Sequence, residues 1–481
     1  MVVDRILFAA QHSTAQHSMA SGILCRSTHY SRTKHVRRTS HASGHTRHTS
    51  KHRLVIIQAH QSSEDSHHTT CAVQPQLNDV PVGSVSRRSV LASTTSAATL
   101  AGFLNVPTAA LADVDADLLA GIQARGLNVA ITGASSGIGL EGARTLYQKG
   151  AHVTVLNRNA KRVQDAIDDI TAGKSGEGTI GGIVCDLTSL KSVNDAANTL
   201  ANAPQPIDVL VLNAGVQFTG EEEPRITEDG FEATLQTNHL GHFLLAERLL
   251  PTLARSRQMR QAAGIDAPSR IVVTASEVHD PESPGGAVGP GADLGAFEGL
   301  VRANAPGAGM VDGGDFDPDK MYKDTKLCNI LFTYELARRL TAAGIAPSDI
   351  SVNTYGPGLI TQSGFFRYQN PLFVGLFDFF ARNVFRVTES VEGGGALLAS
   401  MAANPEYYGG SSGYWNNELS GYGGHAFTAM RTSAESYDED KAARLYDISA
   451  RLVGVDVNAA EKATVDALRQ PKEEEAIALA M

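Results

Sequence analysis

The chain has 481 residues, 42% of them hydrophobic and 19% charged, and a formal net charge of −10. These are the proportions of an ordinary globular protein with ample chain for a large core. The acidic balance excludes a nucleic-acid binder, since no basic folded face would meet phosphates, and four scattered cysteines exclude a disulfide framework or zinc site.

Residues 1–112 hold eleven Lys/Arg against four acidic residues and eleven of the 16 histidines, so the negative charge lies wholly in the rest of the chain. A segment this basic, hydroxyl-rich and acid-poor reads as a plastid or mitochondrial transit peptide, assigned to residues 1–85. Residues 86–112 carry Ser86-Arg87-Arg88-Ser89-Val90-Leu91, a mildly apolar run and Ala110-Leu111-Ala112. An Arg pair, a modest apolar stretch and an A-x-A site make a twin-arginine export signal. Behind a transit peptide the arrangement resembles the leaders of thylakoid lumen proteins, which places the protein in the chloroplast and suggests the lumen, the stromal face remaining open. Cleavage after Ala112 starts the mature protein at Asp113.

From about residue 125 short β-branched runs alternate with helical patterns. The strands are predicted at Asn128–Thr132, His152–Leu156, Gly181–Cys185, Asp208–Leu212, Arg270–Ala275 and Ser351–Tyr355. Ile138–Lys149, Thr188–Ala201, Gly230–Leu253 and Tyr322–Leu340 read as helices. Such βαβ alternation predicts a single α/β domain, a doubly wound parallel sheet over residues 113–457. A Gly-rich insertion, roughly Pro281–Gly314, interrupts it and is too long for a neutral loop. Residues 458–481 turn to Ala, Glu and Lys, a flexible tail that is a loose helix or disorder.

Thr132-Gly133-Ala134-Ser135-Ser136-Gly137-Ile138-Gly139 stands between the first strand and first helix. Glycines there permit a tight turn and let backbone N–H groups approach a pyrophosphate at a helix N-terminus. The second strand ends in Leu156-Asn157-Arg158, where an Asp or Glu would accept from a ribose hydroxyl. Asn157 removes that carboxylate and Arg158 supplies a cation for a 2′-phosphate, favouring NADP(H) over NAD. Tyr322 and Lys326 share one helix face, and a nearby ammonium favours phenolate, so Lys326 is expected to lower the Tyr322 pKa toward working pH. His239 and His242 lack a third ligand and read as packing residues; no metal is predicted.

With these residues in order, the chain resembles the short-chain dehydrogenase/reductase superfamily over about residues 125–455. The resemblance implies a Rossmann-like fold, a cofactor site of Gly133, Ser135, Ser136, Gly137, Ile138, Gly139, Arg158, Asp186, Leu187, Asn213, Ala214, Gly215, Tyr322, Lys326, Pro357 and Gly358, and catalysis by Asn238, Ser276, Tyr322 and Lys326. In that reading Asp186 contacts adenine, Asn238 helps place a water linking Lys326 to solvent, Ser276 holds the reacting oxygen and Tyr322 moves the proton. A homodimer through the helices carrying Tyr322 and Asn238 would be usual for the superfamily.

The 46-position gap from Ser276 to Tyr322, Tyr322-Lys323-Asp324-Thr325-Lys326-Leu327-Cys328-Asn329, Gly413-Tyr414-Trp415-Asn416 and Arg451-Leu452-Val453-Gly454 resemble the light-dependent protochlorophyllide oxidoreductases. That branch implies reduction of a tetrapyrrole double bond, with Cys328 lining the site. Leu359 stands where it usually has a second cysteine, Asn213-Ala214-Gly215 is the general superfamily form, and a lumenal leader is odd for an enzyme fed by stromal NADPH. Seven of 16 phenylalanines fall between Phe365 and Phe385, a wide aromatic lid suited to a flat or long apolar small-molecule substrate and to resting on the thylakoid surface. The leading expectation is NADPH-dependent reduction of an apolar plastid substrate. The alternatives are a retinol-dehydrogenase-type carbonyl reductase or alcohol dehydrogenase acting on a carotenoid, quinone or lipid, and a non-catalytic NADP(H)-sensing module.

Overall fold

A computed structural model describes residues 116–172, 176–302, 304–361, 378, 388–408, 410–420 and 424–469. The leader over 1–112 and the phenylalanines from Phe365 to Phe385 lie outside the described residues.

The short β-branched runs form a sheet in the order β3-β2-β1-β4-β5-β6-β7-β8. The strands are β1 (Asn128–Thr132), β2 (His152–Asn157), β3 (Thr179–Val184), β4 (Val209–Leu212), β5 (Ser269–Thr274), β6 (Ile350–Gly356), β7 (Tyr414–Ser420) and β8 (Gly424–Ala429). The first seven run parallel and β8 is antiparallel to β7. Every residue of β4, β5 and β6 is buried, because helices cover both faces of a parallel sheet. The six predicted strands all form, within two residues at each end. The hairpin β7–β8 extends them.

One face is covered by α1 (Ala116–Gly121), α2 (Gly137–Gln148), α3 (Ala160–Thr171) and α7 (Val391–Ala403). The other carries α4 (Leu190–Ala201), α5 (Gly241–Ala262), α6 (Pro318–Ala342), α8 (Glu439–Val453) and α9 (Val457–Arg469). The two cores are the apolar layers between sheet and helices that define an α/β fold. α7 runs against α2 through a glycine contact: a Cβ on Gly395 would lie 2.8 Å from the backbone nitrogen of Gly142. That close approach explains how Gly393-Gly394-Gly395 belongs to a helix despite its poor propensity.

The stretch predicted as one helix over Gly230–Leu253 is broken. A short turn at Ala233–Leu235 leads into a π-helical turn, Gln236–Leu240, before α5 begins. π-turns of this kind cluster at functional sites, and this one contains Asn238.

Val457–Arg469, which takes in the first part of the flexible tail expected over 458–481, forms a helix that packs on α5. Val457 and Thr464 are buried, and Val465 and Leu468 lie against the core. This bears on the homodimer. The outer faces of α5 and α6 are occupied by α8 and α9, with Leu445, Tyr446 and Ile448 in the shared core. A second copy seated there would have to displace the chain's own C-terminal helices. No helix among the described residues is long and apolar enough to cross a membrane.

Candidate active site

The sheet order reverses between β1 and β4, so the crevice lies at the carboxyl ends of these strands. The glycine loop fills it. Gly133 and Gly137 take φ of 70° and 60°, in the left-handed region that favours glycine. A Cβ on Gly133 would stand 2.8 Å from Ala214 Cα, and one on Gly139 would stand 2.5 Å from the Gly133 carbonyl. Ser136 begins α2 without a side-chain capping bond, so the helix start offers N–H groups to an anion.

The hydroxyl of Thr132 ties the glycine loop to the turn after β4. It accepts from the N–H groups of Asn213 and Ala214 at 2.9 and 3.0 Å, while Asn213 Nδ2 donates 3.0 Å to the Thr132 carbonyl. Thr132 Oγ1 also lies 2.9 Å from His242 Nε2, and His242 Nδ1 lies 3.2 Å from the Asn238 carbonyl. Donation by Nδ1 to that carbonyl leaves Nε2 to accept from the threonine. Burial brings the His242 pKa down to about 3 and that of His239 to about 4, so both rings are neutral. His239 lies between Asn329 Oδ1 at 3.3 Å and Ser449 Oγ at 2.9 Å. Both histidines are therefore hydrogen-bonded members of the core.

Asn238 is fully buried and clamps the segment after the Asn213-Ala214-Gly215 turn. Its Oδ1 accepts from the Val216 N–H at 2.8 Å, and Nδ2 donates to the Val216 carbonyl at 3.0 Å and Thr325 Oγ1 at 3.1 Å. Lys326 Nζ donates 3.0 Å to the Thr274 carbonyl at the end of β5 and stands 5.4 Å from the centre of the Tyr322 ring. Ser276 follows β5 and opens a 3-10 turn, its Oγ accepting at 3.5 Å from the Val278 N–H. The structure thus gathers Asn238, Ser276, Tyr322 and Lys326 around the ends of β4 and β5.

The expected tuning of Tyr322 is overturned in this state. Burial pushes the phenol well above its ordinary pKa and brings the Lys326 ammonium down to about 8. Loss of water around the charged forms causes both shifts, and the Lys326 ammonium is turned to the Thr274 carbonyl. Cys328 is a second correction. It lies two residues beyond Lys326 on α6, is fully buried as part of the apolar core, and its thiol is raised far above the usual range by burial. It does not share the helix face of Tyr322 and Lys326.

At the adenosine end, Asn157 is buried rather than turned to a ribose, and Arg158 is exposed. Arg162, one helical turn on, donates 3.3 Å from Nη1 to Ser135 Oγ of the glycine loop. A cavity of about 290 Å³ is lined there by Ser135, Asn159, Lys161, Arg162 and Asp165. Lys161 is paired with Asp165 at 2.6 Å, which leaves Arg162 as the cation turned to the loop. Sequence reading missed it, although its four-residue spacing from Arg158 is visible. Asp186 Oδ1 accepts from Thr188 N–H and Oγ1 at 3.0 and 2.7 Å, starting the turn into α4, and Leu187 is buried beneath Gly241. Pro357 and Gly358 follow β6 at the same sheet edge, Gly358 with φ of 84°.

The insertion is fastened to the helix of Tyr322 by residues inside the motif. Lys323 Nζ donates to the carbonyls of Gly286, Val288 and Pro290 at 3.0, 2.6 and 2.8 Å. Asp324 accepts from the Asp293 N–H at 3.0 Å, while Lys320 donates to the Asp293 carbonyl and to Asp324, each at 2.7 Å. Ala292, Leu294, Phe297, Leu300, Met310 and Val311 then enter the core. The insertion therefore braces α6 from the side away from the phenol.

A family model described as short chain dehydrogenase matches residues 127–288. The chloroplastic protochlorophyllide reductase of Pisum sativum is 36% identical over 333 residues, spanning 68% of this chain and 78% of the pea protein. Protochlorophyllide reductase A of Arabidopsis thaliana is 34% identical over 333 residues, spanning 68% of this chain and 77% of that protein. Among solved structures, the L-sorbose reductase of Gluconobacter frateurii, complexed with NADPH and L-sorbose, aligns over 62% of this chain and 96% of its own, with TM-score 0.43 and 18% identity.

Proposed function

The chain belongs to the short-chain dehydrogenase/reductase family, and from that premise we propose that it is an NADP(H)-dependent reductase of an apolar plastid substrate with a protochlorophyllide-reductase-like site. The observation that carries the reading is the convergence of Asn238, Ser276, Tyr322 and Lys326 beside a glycine loop too crowded for any Cβ at Gly133 or Gly139. The relatives in pea and Arabidopsis support the substrate class.

The residues fit the dinucleotide. Gly133, Ser136, Gly137 and Ile138 would hold its pyrophosphate at the start of α2, and Arg162 with Ser135 its 2′-phosphate, Arg158 standing at the rim. Asp186, Leu187, Asn213, Ala214, Gly215, Pro357 and Gly358 would border the remainder. When bound, the cofactor supplies a hydride. Tyr322 holds the proton that a reduction consumes, because burial keeps the phenol in its acid form. Lys326, beside the ring, offsets the phenolate left after donation. The Ser276 hydroxyl, which among the described residues accepts only the long bond from Val278, is available to orient substrate.

The test mixes protein beginning at Asp113 with NADPH and protochlorophyllide, in darkness and after a flash. Chlorophyllide absorbance that appears only after light supports the reading. A second reading, reduction of a carbonyl in darkness, is favoured by the burial of Cys328 and by Leu359, which leave the site without a cysteine at either position. Dark turnover of a retinal-like aldehyde with no response to light would select it.

The relatives' chloroplastic names and the basic leader support a plastid location. Arg87-Arg88 with Ala110-Leu111-Ala112 supports carriage into the thylakoid lumen, a route that moves folded proteins and so permits the cofactor to travel bound. Import into isolated chloroplasts, followed by protease treatment of the thylakoids, tests it: a protected chain beginning at Asp113 is expected, and digestion assigns the stromal face.

A further inference from the structure

The loop from Gly356 to Leu359 is held from behind by two buried side chains, Asn417 of β7 and Glu389, exposed by 4% and 8%. Asn417 Nδ2 donates 2.9 Å to Glu389 Oε2 and 3.3 Å to the Pro357 carbonyl. The Glu389 N–H donates 2.8 Å to the Leu359 carbonyl. Two consecutive-but-one carbonyls of the loop are thus fixed by one pair of residues, with Gly358 between them at a φ of 84°.

The carboxylate is itself fixed. Glu389 Oε1 accepts from the N–H and hydroxyl of Ser390 at 2.6 and 3.1 Å, at the first turn of α7, where the helix dipole favours an anion. A Cβ on Gly393 would come within 2.2 Å of that oxygen, so glycine makes room for it. The same helix lies on α2 at the Gly142–Gly395 approach and on Ile138, whose Cγ2 would be 2.6 Å from a Cβ on Gly394. The start of α7 therefore touches the helix at the pyrophosphate end through Gly394 and Gly395, and Glu389, just before it, carries the clamp on the loop after β6.

We propose that Asn417 and Glu389 are positioning residues for the nicotinamide end of the dinucleotide. They set the conformation of Pro357–Leu359, and α7 keeps that setting in register with the phosphate end at α2. The proposal rests on the reading of this crevice as an NADP(H) site.

The probes are NADPH and 2′,5′-ADP, which lacks the nicotinamide, titrated into the full chain. The sole tryptophan, Trp415, lies two residues from Asn417 on β7, so energy transfer from it to reduced nicotinamide reports the ring's placement. Asn417→Asp removes the donor and sets two carboxylates together. NADPH is expected to bind about tenfold more weakly with altered transfer, and 2′,5′-ADP affinity to stay within about twofold. Asn417→Asp with Glu389→Gln restores a bond between the two side chains, Gln donating to Asp, but leaves the Pro357 carbonyl without its donor. That double variant is expected to regain thermal stability and keep the NADPH-specific loss.

Equal losses for both probes, an unaltered Asn417→Asp protein, or full recovery of NADPH binding in the double variant would each overturn the proposal. If the unsubstituted protein binds neither probe, the cofactor reading itself has failed and the proposal falls with it. Binding of 2′,5′-ADP by every variant separates the two cases.

Discussion

Substituting Lys323 by Met tests whether the insertion is held by the charge inside the Tyr–Lys motif. Methionine keeps an unbranched apolar stem and removes the ammonium that three carbonyls share. Hydrogen bonds to a charged donor are worth about 1.5–3 kcal/mol, the upper end applying where the abandoned acceptors stay dry. Gly286 is buried, but Val288 and Pro290 are exposed and their carbonyls can return to water. Burial also costs this ammonium, lowering its pKa, and Met relieves that cost. About 2 kcal/mol is the expected net loss, concentrated in the insertion. If opening there becomes easier by that amount, trypsin should cut at exposed Arg302 roughly 30-fold faster, while the midpoint of thermal unfolding falls by about 4 °C. Lys323→Arg should fall between, because a planar fork cannot meet three carbonyls converging on one point. An unchanged midpoint together with unchanged cleavage at Arg302 would refute the clamp.

Tyr322→Phe should lower turnover by 10²–10⁴-fold, the usual contribution of a positioned proton donor, with little change in NADPH affinity measured by titration. Arg162→Ala should weaken NADPH binding by roughly 10–100-fold while leaving NADH binding nearly unchanged, whereas Arg158→Ala should have the smaller effect; competition assays with the two dinucleotides decide it. Glu247 is buried against Tyr446, and burial raises its pKa from 4.5 to about 7. Its protonated form is favoured in the fold, so this stability is complete below pH 4.5 and is lost as pH rises through about 7. Glu247→Gln should therefore flatten the decline of the unfolding midpoint between pH 5 and 8, leaving a residual slope from Asp324, whose pKa is also raised by burial, to about 7.

Strands β1 to β6 and the order of the glycine loop, Asn238, Ser276, Tyr322 and Lys326 were legible because each rests on local chemistry. β-branched runs mark buried parallel strands, and glycine marks a backbone that must pass close to something. β7 was not legible as a strand, because Asn416-Asn417-Glu418 has little β propensity. Within it Asn417 is buried and hydrogen-bonded to Pro357 and Glu389, partners far away in sequence. α7 was hidden for the opposite reason: three glycines in a row read as loop until α2 is seen to need that space. The Tyr322 pKa was misjudged because a four-residue spacing announces the nearby cation and says nothing of how much water the fold removes. The insertion, by contrast, was conspicuous in the sequence. What could not be read was that Lys323 and Asp324, lying between two expected site residues, point the other way to hold it.

Three additions to a plain doubly wound sheet therefore act on the same few elements. The insertion grips α6 at Lys320, Lys323 and Asp324. The C-terminal helices cover α5 and α6, the helices through which a homodimer was expected. The β7–β8 hairpin reaches the loop after β6 through Asn417. A site braced from three sides by its own chain has no structural need of a partner to hold its geometry. Removing residues from Val457 onward would take away Val465 and Leu468, which lie against the core, and uncover the side of α5 on which α9 packs. The truncated protein should then self-associate in sedimentation velocity while the complete one sediments as a monomer. A complete chain that forms a stable dimer, with α9 still protected from hydrogen exchange, would show that the contact lies elsewhere and that intramolecular bracing does not replace it.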